Sequence, residues 1–444
     1  MHLLHRNQIE PLMLLKVKTL LSDSEHRHTA INAAIALAIR VLGAGMAFLF
    51  NLIIARQLGA EQAGYFFLAL AVVMLLSAVA RLGFDNAVLR FTSADAGNGY
   101  TVKAILNFAL KYTLPVSFIF TVITYTLAPW LAESAFNKPG LAASLQFIAP
   151  AIIGLSIVFL VAMSLQARHK LITSIPCQNI AHLMLCGSVV VVFSADSAST
   201  AALYFSLSLG VTSSFFYWLS IKNLNNNGEK PDPKKLWHSA RPNWVIIIMS
   251  QAVQWSAPII IGIFLAAEQV AFFSVAQRIA LLTSFILMAV NMVVAPKFAA
   301  FHAKGDDNGT RKTALFSVRL LILTVVPIII FIFMFPEFLM GLFGNEFMQG
   351  ALILQILVLG QAINVIAGSV GSLLTMSGYE HDMRRIMLIS GVGILLFLPL
   401  FTSLTGAVGA ASVMAFFLAL QNLLAVYFVK KRLGFNTLKF WQKI

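Results

Sequence analysis

Long apolar runs dominate the sequence and constrain its fold more than any other feature. A helix needs roughly 20 apolar residues to cross a bilayer, and about twelve segments meet that requirement. They carry almost no charge and lack the alternation of polar and apolar residues that marks a membrane β-barrel, so they predict helices. We therefore predict an all-α polytopic membrane protein with spans near 32–56, 63–92, 108–131, 143–166, 172–194, 199–220, 242–265, 270–296, 314–335, 350–376, 385–404 and 406–428.

The distribution of charge predicts how these helices are oriented. The chain is 59% hydrophobic and 11% charged, with a formal net charge of +14. Such a charge could indicate nucleic-acid binding, but in a membrane protein an excess of Lys and Arg is typical of cytoplasmic loops. If both termini are cytoplasmic, only Arg56 and Lys138 of the 31 basic residues fall in outer loops. We therefore expect cytoplasmic termini and no nucleic-acid partner.

An internal duplication predicts the organisation of the chain. The segment "LGAEQAGYFFLA" from Leu58 matches "LAAEQVAFFSVA" from Leu265, and the same offset pairs Arg90 with Lys297. Each copy has six spans, so both start on the same side, and two parallel six-helix lobes are expected around a central cavity. The predicted parts are a cytoplasmic segment (1–31), an N-lobe (32–220), a polar linker (221–241), a C-lobe (242–428) and a basic cytoplasmic tail (429–444).

Four charged residues within predicted spans are candidates for a binding site: Arg40, Arg81, Asp85 and Arg278. A charge facing lipid is costly, so these groups should face the protein interior or water. Three Arg against one Asp favour an anion, and a guanidinium group suits phosphate oxygens. Structural alternatives remain open. Arg81 and Asp85 are spaced to pair on one helix face, Arg40 could extend its side chain to the surface, and Arg278 could be structural.

Uncharged polar residues within spans form a second set of candidates. Their carboxamides could bind sugar hydroxyls, or they could hold neighbouring helices together. His182 is expected to pack locally. No P-loop, HExxH motif or cysteine cluster occurs, so we predict no catalytic residues, no metal and no cofactor. The candidates for sugar contacts are Asn51, Gln254, Asn291, Gln361 and Asn364.

Two long segments carry a family resemblance. "IRVLGAGMAFLFNLIIARQLGAEQAGYFFLALAVVMLLSAVARLGFDNAVLRF" resembles the opening of bacterial polysaccharide transporters, the O-antigen and capsule-repeat flippases. "LFGNEFMQGALILQILVLGQAINVIAGSVGSLLTMSGYEHDMRR" resembles their tenth-span region, and the likeness extends over most of 32–428. The wider superfamily includes lipid II flippases and multidrug and toxin extrusion transporters. Lipid II flippases usually have two further helices, so we expect the oligosaccharide branch.

The resemblance implies a flippase in the bacterial cytoplasmic membrane. Its substrate would be an undecaprenyl-pyrophosphate-linked oligosaccharide, moved by alternating access and usually coupled to an ion gradient, with a polysaccharide polymerase as a possible partner. Cavity arginines that bind pyrophosphate in lipid II flippases match Arg40, Arg81 and Arg278 here, and Asp85 would orient Arg81 or respond to protonation.

Two alternatives are a multidrug antiporter, which would require buried acids, and a glycan polymerase or ligase, which would require a large outer loop.

Overall fold

The computed structural model describes residues 24–94, 99–222, 224, 232–439 and 441, with side chains described outside 24–37 and 99–101. The predicted segment 1–31 is thus described only from Ser24. A π-helical turn spans Leu131–Ala135, and a 3-10 turn spans Asn345–Gly350. The helices are α1 Ser24–Ala80, α2 Phe84–Ala94, α3 Gly99–Trp130, α4 Leu141–Ile148, α5 Ala151–Ala167, α6 Leu171–Asn179, α7 Ala181–Phe193, α8 Ala198–Ile221, α9 Pro233–Phe264, α10 Ala267–Ala303, α11 Asp307–Met334, α12 Pro336–Gly341, α13 Ala351–Ala367, α14 Val370–Met376 and α15 Glu380–Leu433.

All regular secondary structure in the described part of the chain is helical, which confirms the predicted all-α membrane class. Eight helices are long and apolar enough to cross a bilayer, or ten if each of two bent pairs forms one span. The bent pairs are α4 with α5, at 42°, and α6 with α7, at 44°. Some boundaries differ from the prediction. Helix α9 begins at Pro233, inside the predicted linker, because Asp232 caps it by accepting from the backbone N–H of Lys234.

Glycines break the two longest helices. Helix α1 has 57 residues, which in a straight helix would extend about 85 Å, far more than a bilayer is thick. At Gly59 the backbone adopts φ 71 and ψ 177, and at Gly406 in α15 it adopts φ 71 and ψ −152. A positive φ favours glycine, which has no Cβ to clash. Each glycine therefore divides its helix into two arms, Ser24–Leu58 and Ala60–Ala80 in α1.

Contacts close the bundle at the end that carries the Gly59 turn, here called the hairpin face. The first half of the chain, up to residue 222, meets the second half, from residue 232, at this face. Arg56 Nε donates to the Leu342 carbonyl at 2.6 Å, and the Phe48 ring packs edge-on against Phe343 at 5.3 Å. A Cβ on Gly64 would lie 1.9 Å from the Ala267 carbonyl oxygen, so only glycine permits this approach.

The opposite end of the bundle is called the terminal face, since α15 ends there. Arg432 donates to Asp382 at 2.7 Å, which places the two ends of α15 side by side at this face. Between the faces, large apolar side chains such as Phe118, Leu323 and Leu396 are exposed on the outside of the bundle. This arrangement is expected for a surface that contacts lipid tails rather than water.

Candidate binding cavity

A cavity of about 430 Å³ lies between the two halves of the chain, with walls from α1 and α5 to α8 on one side and α9 and α10 on the other. Both basic and uncharged polar residues line it, whereas no Asp or Glu does among the described residues. The polar lining consists of Arg40, Asn51, Gln166, Ser174, Gln178, Asn179, His182, Gln254, Trp255 and Arg278. The lining therefore favours a ligand that is anionic and also carries hydrogen-bonding groups.

Two of the three predicted arginines reach this cavity. Arg40, on α1, places Nη1 3.9 Å from the Met288 sulfur on α10, across the cavity wall. Arg278, on α10, has a buried Nε with no hydrogen-bond partner among the described residues. A guanidinium that lacks protein acceptors in a low-dielectric setting strongly favours a bound anion. The sequence prediction of an anion site that includes Arg40 and Arg278 is thus compatible with the geometry.

The structure places Arg81 behind the wall of the cavity. Its Nε lies 2.8 and 3.1 Å from the two carboxylate oxygens of Asp85, and Nη1 donates to Ser77 Oγ at 3.3 Å. Its guanidinium also stacks 4.2 Å from the centre of the Phe159 ring, and Phe159 itself lines the cavity. Arg81 is only 3% exposed. The structure therefore does not bring Arg81 to the cavity surface with Arg40 and Arg278, which departs from the predicted three-arginine site.

A local break explains where Arg81 points. Helix α1 ends at Ala80, Leu82 and Gly83 have positive φ values, and α2 begins at Phe84. A Cβ on Gly83 would lie 2.3 Å from the Ala240 carbonyl, so the turn packs tightly against α9. The predicted pair is formed, but across this turn and not along one continuous helix. Asp85 lies in the first turn of α2, where the helix dipole favours a negative charge.

The predicted sugar contacts divide into two groups. Asn51 and Gln254 line the cavity, and the Asn51 Oδ1 is buried without a partner among the described residues. Gln361, Asn364 and Asn291 do not line it. Gln361 accepts from Ser284 Oγ at 2.8 Å and from Asn364 Nδ2 at 3.1 Å. Gln361 therefore joins α13 to α10, with Asn364 bonded to it within α13, which is the alternative that the sequence left open. Asn291 has a buried, unpaired Oδ1 outside the cavity.

Several lining residues were not predicted as contacts. Gln166, Gln178 and Asn179 carry uncommitted carboxamides at the cavity, and His182 lines it as well as packing edge-on against Phe205 at 5.9 Å. For Gln178, Asn179 and His182 the signal in the sequence is Pro176, which interrupts the helical pattern of the fifth span just before them, whereas Gln166 has no such signal. Within the described residues no group of three or more potential metal ligands occurs, and Cys177 and Cys186 are buried and form no disulfide.

Comparison with known proteins connects this cavity to a family. The sequence profile described as "Polysaccharide biosynthesis protein" matches residues 30–302, more than half of the 444-residue chain. The chain belongs to the polysaccharide biosynthesis protein family. This membership confirms the resemblance that the sequence predicted.

The known proteins that this chain resembles are transporters. Over 408 residues it is 26% identical to the "Probable low-salt glycan biosynthesis flippase Agl15" of Haloferax volcanii, which covers 90% of this chain and 82% of the relative. An inward-facing multidrug resistance MATE family transporter gives a TM-score of 0.72 at 14% identity, covering 90% of this chain and 98% of the other. The lipid II flippase MurJ, in an inward closed conformation, gives 0.69 at 13% identity, covering 89% and 87%. The solved structures establish a shared fold, and the relatives together indicate a transporter rather than an enzyme.

Proposed function

We propose that this protein flips a lipid-linked glycan across a membrane, and that its substrate is an undecaprenyl-pyrophosphate-linked oligosaccharide such as an O-antigen, capsule or exopolysaccharide repeat unit. One observation carries the proposal: Arg40 and Arg278 line a central cavity that, among the described residues, contains no carboxylate. A pyrophosphate is a doubly ionised group that guanidinium groups bind well. The family and the Haloferax flippase support the glycan part of the substrate.

The proposed architecture is two six-helix lobes with the cavity between them. Division of α1 at Gly59 and of α15 at Gly406, with each bent pair as one span, gives twelve spans. The sequence offset that pairs the halves places Ala266, the residue before α10, opposite Gly59. Both positions are therefore turns between a first and a second span, as a parallel repeat requires.

The described conformation supports alternating access. Contacts between the halves close the hairpin face, so we expect the cavity to open toward the terminal face. With the termini in the cytoplasm, as the Lys and Arg distribution favours, this is an inward-facing state. Rocking of the lobes would then open the hairpin face and release the glycan outward, where a polymerase could receive it. We expect an ion gradient to drive the cycle.

Within the site, the residues have different proposed roles. Arg40 and Arg278 neutralise the pyrophosphate, while the carboxamides of Asn51 and Gln254 donate to and accept from sugar hydroxyls. Arg81 and Asp85 stabilise the wall behind Phe159. Gln361, supported by Asn364, holds α13 against α10, and Asn291 is assigned no role in the site. A multidrug antiporter would need a carboxylate facing its cationic ligand, and the described cavity lining supplies none.

Substitution of Arg278 tests this function in cells. Arg278→Ala should abolish surface glycan in a strain that depends on this protein, while the amount of protein in the membrane stays normal. Arg90→Ala is the matched control, because Arg90 is exposed outside the cavity and should be dispensable. Normal surface glycan in the Arg278→Ala strain would contradict the proposal, and resistance to cationic drugs in place of a glycan phenotype would favour the antiporter.

A further inference from the structure

The fifth span is broken at the cavity wall. Helix α6 ends at Asn179, Ile180 has φ −121 and ψ −55, and α7 begins at Ala181 with its axis turned by 44°. Pro176 contributes to this break, because proline lacks an N–H and clashes with the preceding turn of a helix. Asn179, His182 and Leu183, which flank the break, all line the cavity. The start of α7 is therefore part of the site surface.

The start of α7 offers an environment that suits an anion. Helix α7 has 13 residues. The Met184 amide donates to the Ile180 carbonyl at 2.9 Å, and the amides before it in the first turn have no acceptor within α7 itself. The aligned peptide dipoles add about half a positive charge at this end. No acidic residue lies in its first turn to neutralise that charge. A helix that starts within a transmembrane span in this way often faces an anionic group of a transported substrate.

A side chain at the same place independently indicates a ligand. His182 is 6% exposed, and its ring makes no hydrogen bond with any described residue. Its Nδ1 is buried and unpaired, and the ring lines the cavity beside Asn179. A buried polar ring without a partner is costly, since it has lost water and gained nothing in return. A ligand oxygen at the break would give the ring a partner.

We infer that the break in the fifth span is a phosphate subsite, formed by the first turn of α7 and by His182. This inference rests on the proposed function and deepens it, because it divides the pyrophosphate between the two halves of the chain. The start of α7 and His182 bind one phosphate, and Arg278, on α10, binds the other. Arg40 supplies further positive charge. The bound anion then links the two halves across the cavity, and its departure frees them to separate.

Binding of inorganic pyrophosphate to the purified full-length protein in nanodiscs, measured by calorimetry, tests the subsite. His182→Ala should weaken binding about tenfold or more, the loss expected for one hydrogen bond to a charged group. His182→Asn keeps a donor and should recover part of the affinity. Asn179→Asp places a negative charge beside the start of α7 and should weaken binding at least as much. Gln166→Glu places the same charge on α5, elsewhere on the cavity wall, and should weaken it clearly less.

The variants separate the two proposals. If Arg278→Gln weakens binding while His182→Ala binds as the wild type does, or Asn179→Asp and Gln166→Glu weaken it equally, the subsite is refuted and the proposed function stands. If the wild type binds no pyrophosphate, both are contradicted.

Competition identifies the source of the phosphate. Undecaprenyl pyrophosphate in the nanodisc should displace the probe, whereas displacement by phosphatidylglycerol at the same concentration would refute a pyrophosphate subsite in favour of a phospholipid headgroup site.

Discussion

The ammonium nitrogen of Lys138 lies 2.6 Å from the carbonyl oxygen of Gly262, which joins the loop before α4 to the end of α9. The same nitrogen donates to the Phe136 carbonyl at 3.0 Å. Arg56 makes a matching contact, since its Nε donates to the Leu342 carbonyl, which also belongs to the second half of the chain. These are the two basic residues that the sequence placed in outer loops. Each one bonds a backbone carbonyl of the other half, so they act together as a latch on the hairpin face.

Loss of the latch should open the hairpin face. Lys138→Met keeps most of the side-chain volume but removes the donor, and we expect it to raise the accessibility of the cavity from that face about tenfold, the effect of one hydrogen bond from a charged group. Arg56→Gln should have a smaller effect, since Arg56 is exposed and its contact is screened by water. Labelling of an introduced cysteine at the closure measures the change. Lys170→Met, at the terminal face, is the control, and an equal effect there would refute the latch.

The latch should also depend on pH. Burial lowers the pKa of Lys138 below its ordinary value, and the nearby Glu268 carboxylate offsets this only in part. The closed face therefore binds the Lys138 proton less tightly than an open, hydrated one would. Raising the pH through the lowered pKa should favour closure, and lowering it should favour opening. Cysteine labelling across the alkaline range should show this trend in the wild type, and the trend should be absent in Lys138→Met. A trend of the opposite sign would contradict this assignment.

Gly64 should be required for closure. A methyl group there would meet the Ala267 carbonyl oxygen at 1.9 Å, so Gly64→Ala must push the two halves apart at the hairpin face. We expect slower transport and a more accessible hairpin face, with little loss of folded protein. Gly45→Ala is a matched control on the same helix, since a Cβ at Gly45 has no neighbour within 4 Å. Similar transport by the two variants would show that the close approach is not needed.

The ion pair of Arg81 and Asp85 should matter for stability rather than for binding. Removal of one partner leaves an uncompensated buried charge, so Arg81→Met or Asp85→Leu alone should cost about 3–5 kcal/mol of stability. The double variant removes both charges and should recover much of that loss. Thermal unfolding in detergent measures the stability of each variant, and calorimetry measures its pyrophosphate binding. If the stable double variant fails to bind pyrophosphate, Arg81 belongs to the binding site after all.

The sequence predicted the class of fold because its signals are local. The length of an apolar run predicts a membrane span, and the distribution of Lys and Arg predicts its orientation, without knowledge of how the helices pack. Likewise, a charged residue such as Arg278 inside an apolar span is a candidate for a site whatever the position of its helix in the bundle. Placement of Arg81 required more. Spacing predicted its pairing with Asp85, but the turn at Leu82 and Gly83, which directs Arg81 behind Phe159, depends on tight packing against α9. Gln361 and Asn364 likewise have the sequence features of cavity residues, but Gln361 accepts hydrogen bonds from Ser284 on another helix and from Asn364 on its own.

His182 is the opposite case, a residue that the sequence predicted to pack locally and that the structure places at the cavity. A single imidazole in an apolar helix gives no indication of whether it packs or faces a cavity. Here the ring packs against Phe205 and also lines the cavity, because its helix begins at the break at Ile180. Pro176 signalled a kink, but the direction of a kink is set by neighbouring helices and not by the proline alone. Residues that line a site between two halves of a chain are therefore the part that sequence patterns predict least well.

Translocation in reconstituted vesicles tests the central claim most directly. Purified protein is placed in liposomes with an undecaprenyl-pyrophosphate-linked oligosaccharide whose sugar is labelled, and a membrane-impermeant glycosidase or lectin reports transfer between leaflets. We predict rapid, protein-dependent transfer by the wild type, equal transfer by Arg90→Gln, and transfer near the protein-free rate by Arg278→Gln. Wild-type vesicles that transfer no more substrate than protein-free liposomes, or an Arg278→Gln variant that transfers it normally, would contradict the account.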